Sequence, residues 1–248
     1  MHNMPSAEPQ PAVSIVLLAH NEAAVIETVI RDFYDKIVRK IPGSELIIAE
    51  DGSTDGTKDI LARLCRELPA LRWEEGKERR GYVQAFKQAM TYPRNDQILF
   101  CDCSGKHDPD DFWTMAPLLA DHDLVVGYKV RRADPFYRLI LSHVFNFLVN
   151  RYFQVEFNDA NCPMRIFKKE KFLKLAARPW LEPALVNFEM TLRFCYAGYR
   201  VTQVPIKHFP RRDGPSRGLP LSRIPRVIWN VLTLFPRLKK DMRAGSGN

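Results

Sequence analysis

The chain has no run of about 20 apolar residues that would cross a bilayer. Its first eleven residues are polar and proline-rich, unlike an export signal. These absences predict a protein that stays in the cytoplasm. Cysteine is sparse. Cys65, Cys101, Cys103, Cys162 and Cys195 are odd in number and lack disulfide-framework spacing, which predicts reduced thiols. No G-x-G-x-x-G follows the first apolar run and no P-loop occurs, which argues against both common nucleotide motifs. Internal repeats and long low-complexity stretches are missing as well. Acidic residues are outnumbered, 29 against 37 basic ones, and the net charge is +8. That balance favours an anionic partner: nucleic acid, a nucleotide phosphate or an acidic membrane surface.

What is present suits one sizeable α/β domain, with 248 residues of which 46% are hydrophobic and 27% charged. Val13-Ser-Ile-Val-Leu-Leu18 reads as a buried strand ending at His20-Asn21-Glu22. Val25, Val29, Ile30, Phe33 and Ile37 follow at helical spacing. Glu45-Leu-Ile-Ile-Ala-Glu50 is a second strand, closed by the turn and capping cluster Asp51-Gly52-Ser53-Thr54-Asp55-Gly56. Ile60, Leu61, Leu64, Cys65 and Leu68 make another helix face, and a third strand is expected around Leu71 to Trp73. Gly81 opens a further helix before the strand Ile98-Leu-Phe-Cys-Asp102. Strands alternating with helices predict a mostly parallel sheet with helices on both faces.

The second half differs. Leu124 to Tyr128 reads as a strand, and a helix follows from about Tyr137 to Phe153. That helix is apolar over most of its circumference, with His143, Asn146 and Asn150 as a narrow polar stripe. It suits either a core helix or a membrane-surface helix. Near the end, Ile224, Val227, Ile228, Val231, Leu232, Phe235 and Leu238 recur at helical spacing among Arg223, Arg226, Arg237, Lys239, Lys240 and Arg243, with Trp229 between them. Two readings stay open: a basic amphipathic helix at an anionic membrane, or a terminal helix docked on the domain with a solvated basic face. Pro236 is expected to break it. The division expected is a disordered segment 1–12, a domain over 13–220, a basic amphipathic region over 221–243 and a disordered tail over 244–248.

The chemistry gathers where strands end. Asp102 and Ser104 are two apart and share one side of an extended chain. Open α/β sheets place their ligands at the C-terminal edge of the strands. The loops after the first, second and fourth strands bring Asn21 and Glu22, Asp51, and Asp102 to that edge. Carboxylates there accept hydrogen bonds from a ribose or base, or hold a divalent metal on a diphosphate. A zinc site from Cys101, Cys103 and His107 is disfavoured, because both cysteines point away from Asp102 and no second Cys pair exists.

At these residues a resemblance becomes specific. Ser14-Ile-Val-Leu-Leu-Ala-His-Asn21-Glu22, then Glu50-Asp51-Gly-Ser53-Thr-Asp55-Gly56, then Gly81 with Ala85, then the Asp102 strand end, resemble family 2 inverting glycosyltransferases of the GT-A fold. Gly127-Tyr-Lys129, Phe136-Tyr-Arg138-Leu-Ile-Leu-Ser142, Asp159 before Pro163-Met-Arg165, and Val204-Pro205-Ile206 before Arg211-Arg212-Asp-Gly214-Pro-Ser216-Arg217 resemble the dolichyl- or polyprenyl-phosphate mannose synthase branch. The resemblance implies an inverting hexosyltransferase that moves a sugar from GDP-mannose or a UDP-hexose to a polyprenyl phosphate at the cytoplasmic membrane face. It places Ala19, His20, Asn21, Glu22, Asp51, Ser53, Asp102 and Cys103 on the nucleotide. Asp102, Lys106 and Arg212 are the candidate catalytic residues. Lys129, Arg138 and Ser142 would grip the lipid phosphate, and Arg212 and Arg217 the donor phosphates. An integral-membrane partner protein is compatible with this picture. Nucleic acid is not the expected partner, since the basic charges lie in loops and a terminal helix rather than a reading motif.

The family's D-x-D-x-Q is here Asp102-Cys-Ser104-Gly-Lys106, so a hydroxyl replaces a carboxylate and an ammonium an amide. Asp102 and Ser104 remain the metal candidates, but magnesium prefers carboxylates, and binding of Mg2+ or Mn2+ is expected to be weaker than in the family or absent. Lys106 is expected either to sit on the donor diphosphate, taking over part of the metal's work, or to face water. An acceptor hydroxyl in place of the phosphate would need a general base, for which Asp159, His107 and Asp108 are the candidates. A nucleotide-binding protein with weakened catalysis is the remaining alternative.

Overall fold

The computed structural model describes residues 10–130, 136–177, 186–211 and 224–245. Seven strands, β1 (Val13–Ala19), β2 (Glu45–Glu50), β3 (Leu71–Glu74), β4 (Gln97–Asp102), β5 (Leu124–Lys129), β6 (Arg165–Lys168) and β7 (Val201–Ile206), form one sheet. Their order is β3-β2-β1-β4-β6-β5-β7. β6 runs antiparallel to β4 and β5, and every other pairing is parallel. The C-terminal ends of the other six strands therefore share one edge, and β1 lies at the switch point where the chain's order reverses.

Helices α1 (Ile26–Lys36), α2 (Thr57–Glu67), α3 (Tyr82–Ala89), α4 (Phe112–Met115), α6 (Lys169–Ala176) and α7 (Val186–Tyr196) accompany the sheet. β1 is buried at all seven positions, as expected of a central strand covered on both faces. Its one polar residue, Ser14, is satisfied by donating to Glu45 Oε1 at 2.6 Å. Burial pushes the Glu45 carboxyl up, but Ser14, the Arg94 N–H and the Arg72 guanidinium together hold it below its usual value.

The two remaining helices, α5 (Phe136–Phe153) and α8 (Ile224–Gly245), form a second cluster with α7. Val149, Phe153, Phe188, Leu192, Leu234, Phe235 and Leu238 pack there, with Phe153 and Phe235 edge to face at 5.0 Å. Phe235 and Leu238 are thus core residues, and of the two readings left open the docked one describes this part of α8. Pro236 does not break the helix, which is continuous to Gly245 and so runs into the expected tail. Proline removes one bond to the carbonyl of Leu232. Leu232 is exposed to solvent, and the buried neighbours Leu234, Phe235 and Leu238 hold the segment in place.

In α5 the polarity is reversed from that of an ordinary surface helix. Asn146 donates to the carbonyl of Asn158 at 2.8 Å, and Asn150 exchanges two bonds of 2.9 Å with Phe157. These two polar residues of the stripe face inward. Phe136, Ile140, Val144, Phe147 and Leu148 face outward, Phe136 being 75% and Phe147 68% exposed. Among the described residues no helix is long and apolar enough to cross a membrane.

Candidate active site

The loops after β1 and β2 are laced together. Asn21 takes a positive φ of 55°, a conformation that asparagine tolerates better than most residues. Its N–H donates to Ser53 Oγ at 2.9 Å, and its side-chain oxygen accepts from the Thr54 N–H at 2.8 Å. The Glu22 N–H donates to Thr57 Oγ1 at 3.0 Å. Asn21 and Ser53, both expected on the nucleotide, thus shape the loops that would receive it. Ala19 is buried, and its carbonyl accepts from the Asp51 N–H at 2.9 Å. His20 stands half-buried at the rim beside them.

Asp51 is buried and holds the loop that follows β3. Its Oδ1 accepts from the Arg80 N–H at 2.7 Å and its Oδ2 from the Gly81 N–H at 3.0 Å. The two loops approach so closely at Gly52 that an added Cβ would lie 2.4 Å from the Arg79 nitrogen, and its φ of +68° also requires glycine. Glu22 pairs with Arg211, which arrives from the segment after β7. That segment is fastened along the loop after β4. The Phe209 N–H donates to the Lys106 carbonyl at 2.8 Å, His208 bridges His107, and Lys207 reaches Asp108 at 2.9 Å.

Asp102 ends β4 and accepts from the Tyr82 hydroxyl at 3.0 Å. Burial pushes its carboxyl up, against the pull of Tyr82, Lys129 and Lys106. Lys106 is half-buried, and its charge is felt at both Asp102 and His107. Lys129 ends β5 with Nζ 3.3 Å from Asp159 Oδ2, both side chains nearly enclosed. Ser142 lies on α5, where its hydroxyl accepts from Asn146 at 3.5 Å. Arg138 is carried on the same helix, while Arg212 and Arg217 lie outside the described residues.

Cys103, also expected on the nucleotide, follows Asp102. Its side chain is buried in the core, where burial raises its thiol, and its N–H goes to the Leu18 carbonyl at 3.0 Å. The reason is the strand's alternation, which turns Cys101 and Cys103 inward while Asp102 turns to the edge.

Metal binding can be judged from the donor set. Among the described residues no three His, Cys, Asp or Glu side chains gather in a way that could hold an ion. Asp102 offers one carboxylate, with one oxygen already bonded to Tyr82, and Ser104 beside it is half-buried. Magnesium is ordinarily held by one or two carboxylates plus substrate phosphates, so this set fits an ion arriving with a diphosphate rather than a preformed cage.

Tyr82, Asn187, Arg165 and Arg211 are the residues of this region to which sequence reasoning gave no role. Asn187, on α7, donates to the Tyr82 hydroxyl at 2.9 Å, and Arg165 Nη1 donates to the Asn187 carbonyl at 2.7 Å. Burial lowers the Arg165 guanidinium to about 10. The available signals were a charged residue at the head of the apolar strand Arg165-Ile-Phe and the place of Arg165 and Arg211 in the motifs that carry the resemblance.

Residues 14–175 match the family model for glycosyl transferase family 2. The chain belongs to this family of glycosyltransferases. It is 28% identical, over 95% of its length and 40% of the relative's, to the glycosyltransferase AglD of Haloferax volcanii. It is 30% identical to the dodecaprenyl-phosphate galacturonate synthase of Rhizobium johnstonii, over 81% of this chain and 60% of that one. The dolichyl-phosphate beta-glucosyltransferase of Drosophila melanogaster is 25% identical over 69% and 59%. The chain thus spans between two fifths and three fifths of the length of these relatives. Among solved structures, glucosyl-3-phosphoglycerate synthase from Mycobacterium tuberculosis superposes with a TM-score of 0.67 at 18% identity, covering 92% of this chain and 80% of that one. The mannosyltransferase PcManGT from Pyrobaculum calidifontis, solved with GDP-Man and Mn2+, superposes with a TM-score of 0.61 at 21% identity, covering 83% and 59%. These likenesses establish the GT-A fold.

Proposed function

We propose that the chain transfers a hexosyl group, with inversion, from a nucleotide diphosphate sugar, GDP-mannose or a UDP-hexose, to a polyprenyl phosphate at the cytoplasmic face of a membrane. The observation that carries this reading is the sheet edge that gathers Glu22, Asp51, Asp102, Lys106 and Lys129, in a protein whose α5 turns an apolar face outward. The named relatives that act on dodecaprenyl and dolichyl phosphates support the acceptor class.

In this reading the β1 and β2 loops receive the base and ribose. Asp102 and Lys106 meet the diphosphate, joined by Arg212 and Arg217, while Lys129, Arg138 and Ser142 meet the lipid phosphate. Asp102 and Ser104 would hold Mg2+ or Mn2+, which when bound neutralises the departing diphosphate. A phosphate monoester has a second pKa near 6 and is already a dianion at neutral pH, so it attacks without a protein base. One acceptor oxygen forms a bond to the anomeric carbon as the bond to the diphosphate breaks. The electron pair leaves with the nucleoside diphosphate. Catalysis comes from alignment and from cations placed against developing charge.

The groups that a hydroxyl acceptor would need as a base are already engaged or enclosed. Asp159 pairs with Lys129, Asp108 with Lys36 and Lys207, and His107 is buried with its pKa driven well below the usual value by burial, Lys129, His208 and Lys106. This favours the phosphate acceptor.

Exposed apolar area on one helix beside a basic one suits the interface of an anionic membrane. Trp229 on α8, 67% exposed, extends the apolar side, and the exposed Arg237, Lys240 and Arg243 supply charge. The test of the function is incubation with GDP-mannose or UDP-glucose and a polyprenyl phosphate in vesicles. Formation of the lipid-linked sugar with release of nucleoside diphosphate is expected. Sugar transfer to lipid hydroxyls instead would overturn the acceptor assignment.

A further inference from the structure

We propose that Tyr82 is a positioning residue for Asp102, fixing one oxygen of that carboxylate so that the other is presented to the divalent ion that the donor diphosphate would bring. The inference rests on the reading above, in which Asp102 meets the diphosphate. A carboxylate at the end of a strand is free to rotate about two bonds, and the Tyr82 hydroxyl makes the one hydrogen bond to it among the described residues, at 3.0 Å.

The hydroxyl is itself directed. A phenol has one proton to give and lone pairs to receive. Asn187 Nδ2 donates to it at 2.9 Å, so its own proton points to Asp102 Oδ1. Asn187 is buried on α7, and its carbonyl is tied to the fully buried Arg165 of β6 at 2.7 Å. From the other side, Asp51 grips the N–H groups of Arg80 and Gly81, the two residues before Tyr82, and Gly81 takes a φ of +87° there. Tyr82 opens α3 immediately afterwards.

A continuous chain of bonds therefore runs from Asp51, at the end of β2, through the 80–82 turn to Asp102, at the end of β4. As a residue Tyr82 is 38% exposed, while its hydroxyl is enclosed between Asp102 and Asn187, where burial raises its pKa well above the usual value. A partly exposed residue whose enclosed hydroxyl is committed to a strand-end carboxylate is the arrangement expected of a group that aims that carboxylate. A tyrosine serving the core would bury its ring.

The test compares the full-length chain with Tyr82→Phe, which keeps the ring and removes the hydroxyl, and with Asn187→Ser, which removes the amide that orients it. GDP and UDP affinities are measured by calorimetry with and without Mn2+, thermal midpoints confirm folding, and crystal structures record the Asp102 side chain. Loss of a hydrogen bond to a charged group predicts a loss of about tenfold in the Mn2+-dependent part of nucleotide affinity, with metal-free affinity unchanged. Asp102 is expected in more than one rotamer in both variants. In the transfer assay kcat should fall while the acceptor KM stays.

Asp102→Ala separates the two levels of the argument. If that change leaves nucleotide affinity in Mn2+ intact, the donor role of Asp102 fails, and the rotamer of Asp102 in Tyr82→Phe decides the positioning claim alone. If Asp102→Ala is damaging while Tyr82→Phe keeps Asp102 in one rotamer with full Mn2+-dependent affinity, Tyr82 is not a positioning residue.

Discussion

Lys106 stands beside the one carboxylate at the end of β4, where its charge opposes the rise that burial forces on Asp102. In the proposed reaction it shares the diphosphate's charge with any divalent ion. Removing it should make the ion matter more. Lys106→Gln is expected to lower turnover and to steepen the dependence of the remaining rate on added magnesium or manganese. Adding Ser104→Asp should strengthen metal binding by restoring a second carboxylate. An unchanged rate and metal response in Lys106→Gln would assign Lys106 to the solvated surface. At this scale the sequence disclosed which residues stand at strand ends, because two-residue alternation follows from strand geometry alone. Their partners were not legible. Asn21 meets Ser53 and Thr54 across 32 and 33 positions, and Tyr82 meets Asn187 across 105, distances that only the folded topology closes.

Among the elements, β1 to β5 and the helices α1 to α3 between the first four were readable from periodicity, down to the short β3, whereas β6, β7, α6 and α7 were not read. The sheet's second half was less so, because β6 enters antiparallel between β4 and β5, a pairing no local pattern encodes. The C-terminal helix was misjudged at Pro236, since local propensity gives way to the packing of Phe235 and Leu238 against α5 and α7. An ion cluster also fixes that helix. Arg193, buried on α7, bonds Glu189 at 2.7 Å and reaches Asp241 of α8 at 3.3 Å. Arg193→Ala would remove the guanidinium that pairs with Glu189, a side chain only 1% exposed. Such a loss costs about 3 to 5 kcal/mol, and denaturant unfolding should show it. A loss below about 0.5 kcal/mol would mean that this buried pair contributes little to the fold.

For the whole molecule, the reversed polarity of α5 sets an orientation. With Asn146 and Asn150 turned inward, Phe136, Ile140, Val144 and Phe147 face outward, and in the proposed reading they would insert into a membrane with the basic residues of α8 alongside. Vesicles containing anionic lipid should bind the protein, more weakly as salt rises, because screening acts over about 8 Å at physiological ionic strength. Phe136→Ser with Phe147→Ser should remove the salt-resistant part. Each buried phenylalanine is worth about 1.5 to 3 kcal/mol. Equal binding by that double variant would move the membrane contact elsewhere.

The central claim is that this edge joins a sugar to a phosphate without a protein base. The most direct measurement is the initial rate of hexosyl transfer from GDP-mannose or UDP-glucose to a polyprenyl phosphate and to the matching polyprenol in the same vesicles. The account predicts an inverted sugar on the phosphate, a rate that tracks ionisation of the acceptor near pH 6, and no product on the alcohol. Equal or faster transfer to the alcohol would contradict it.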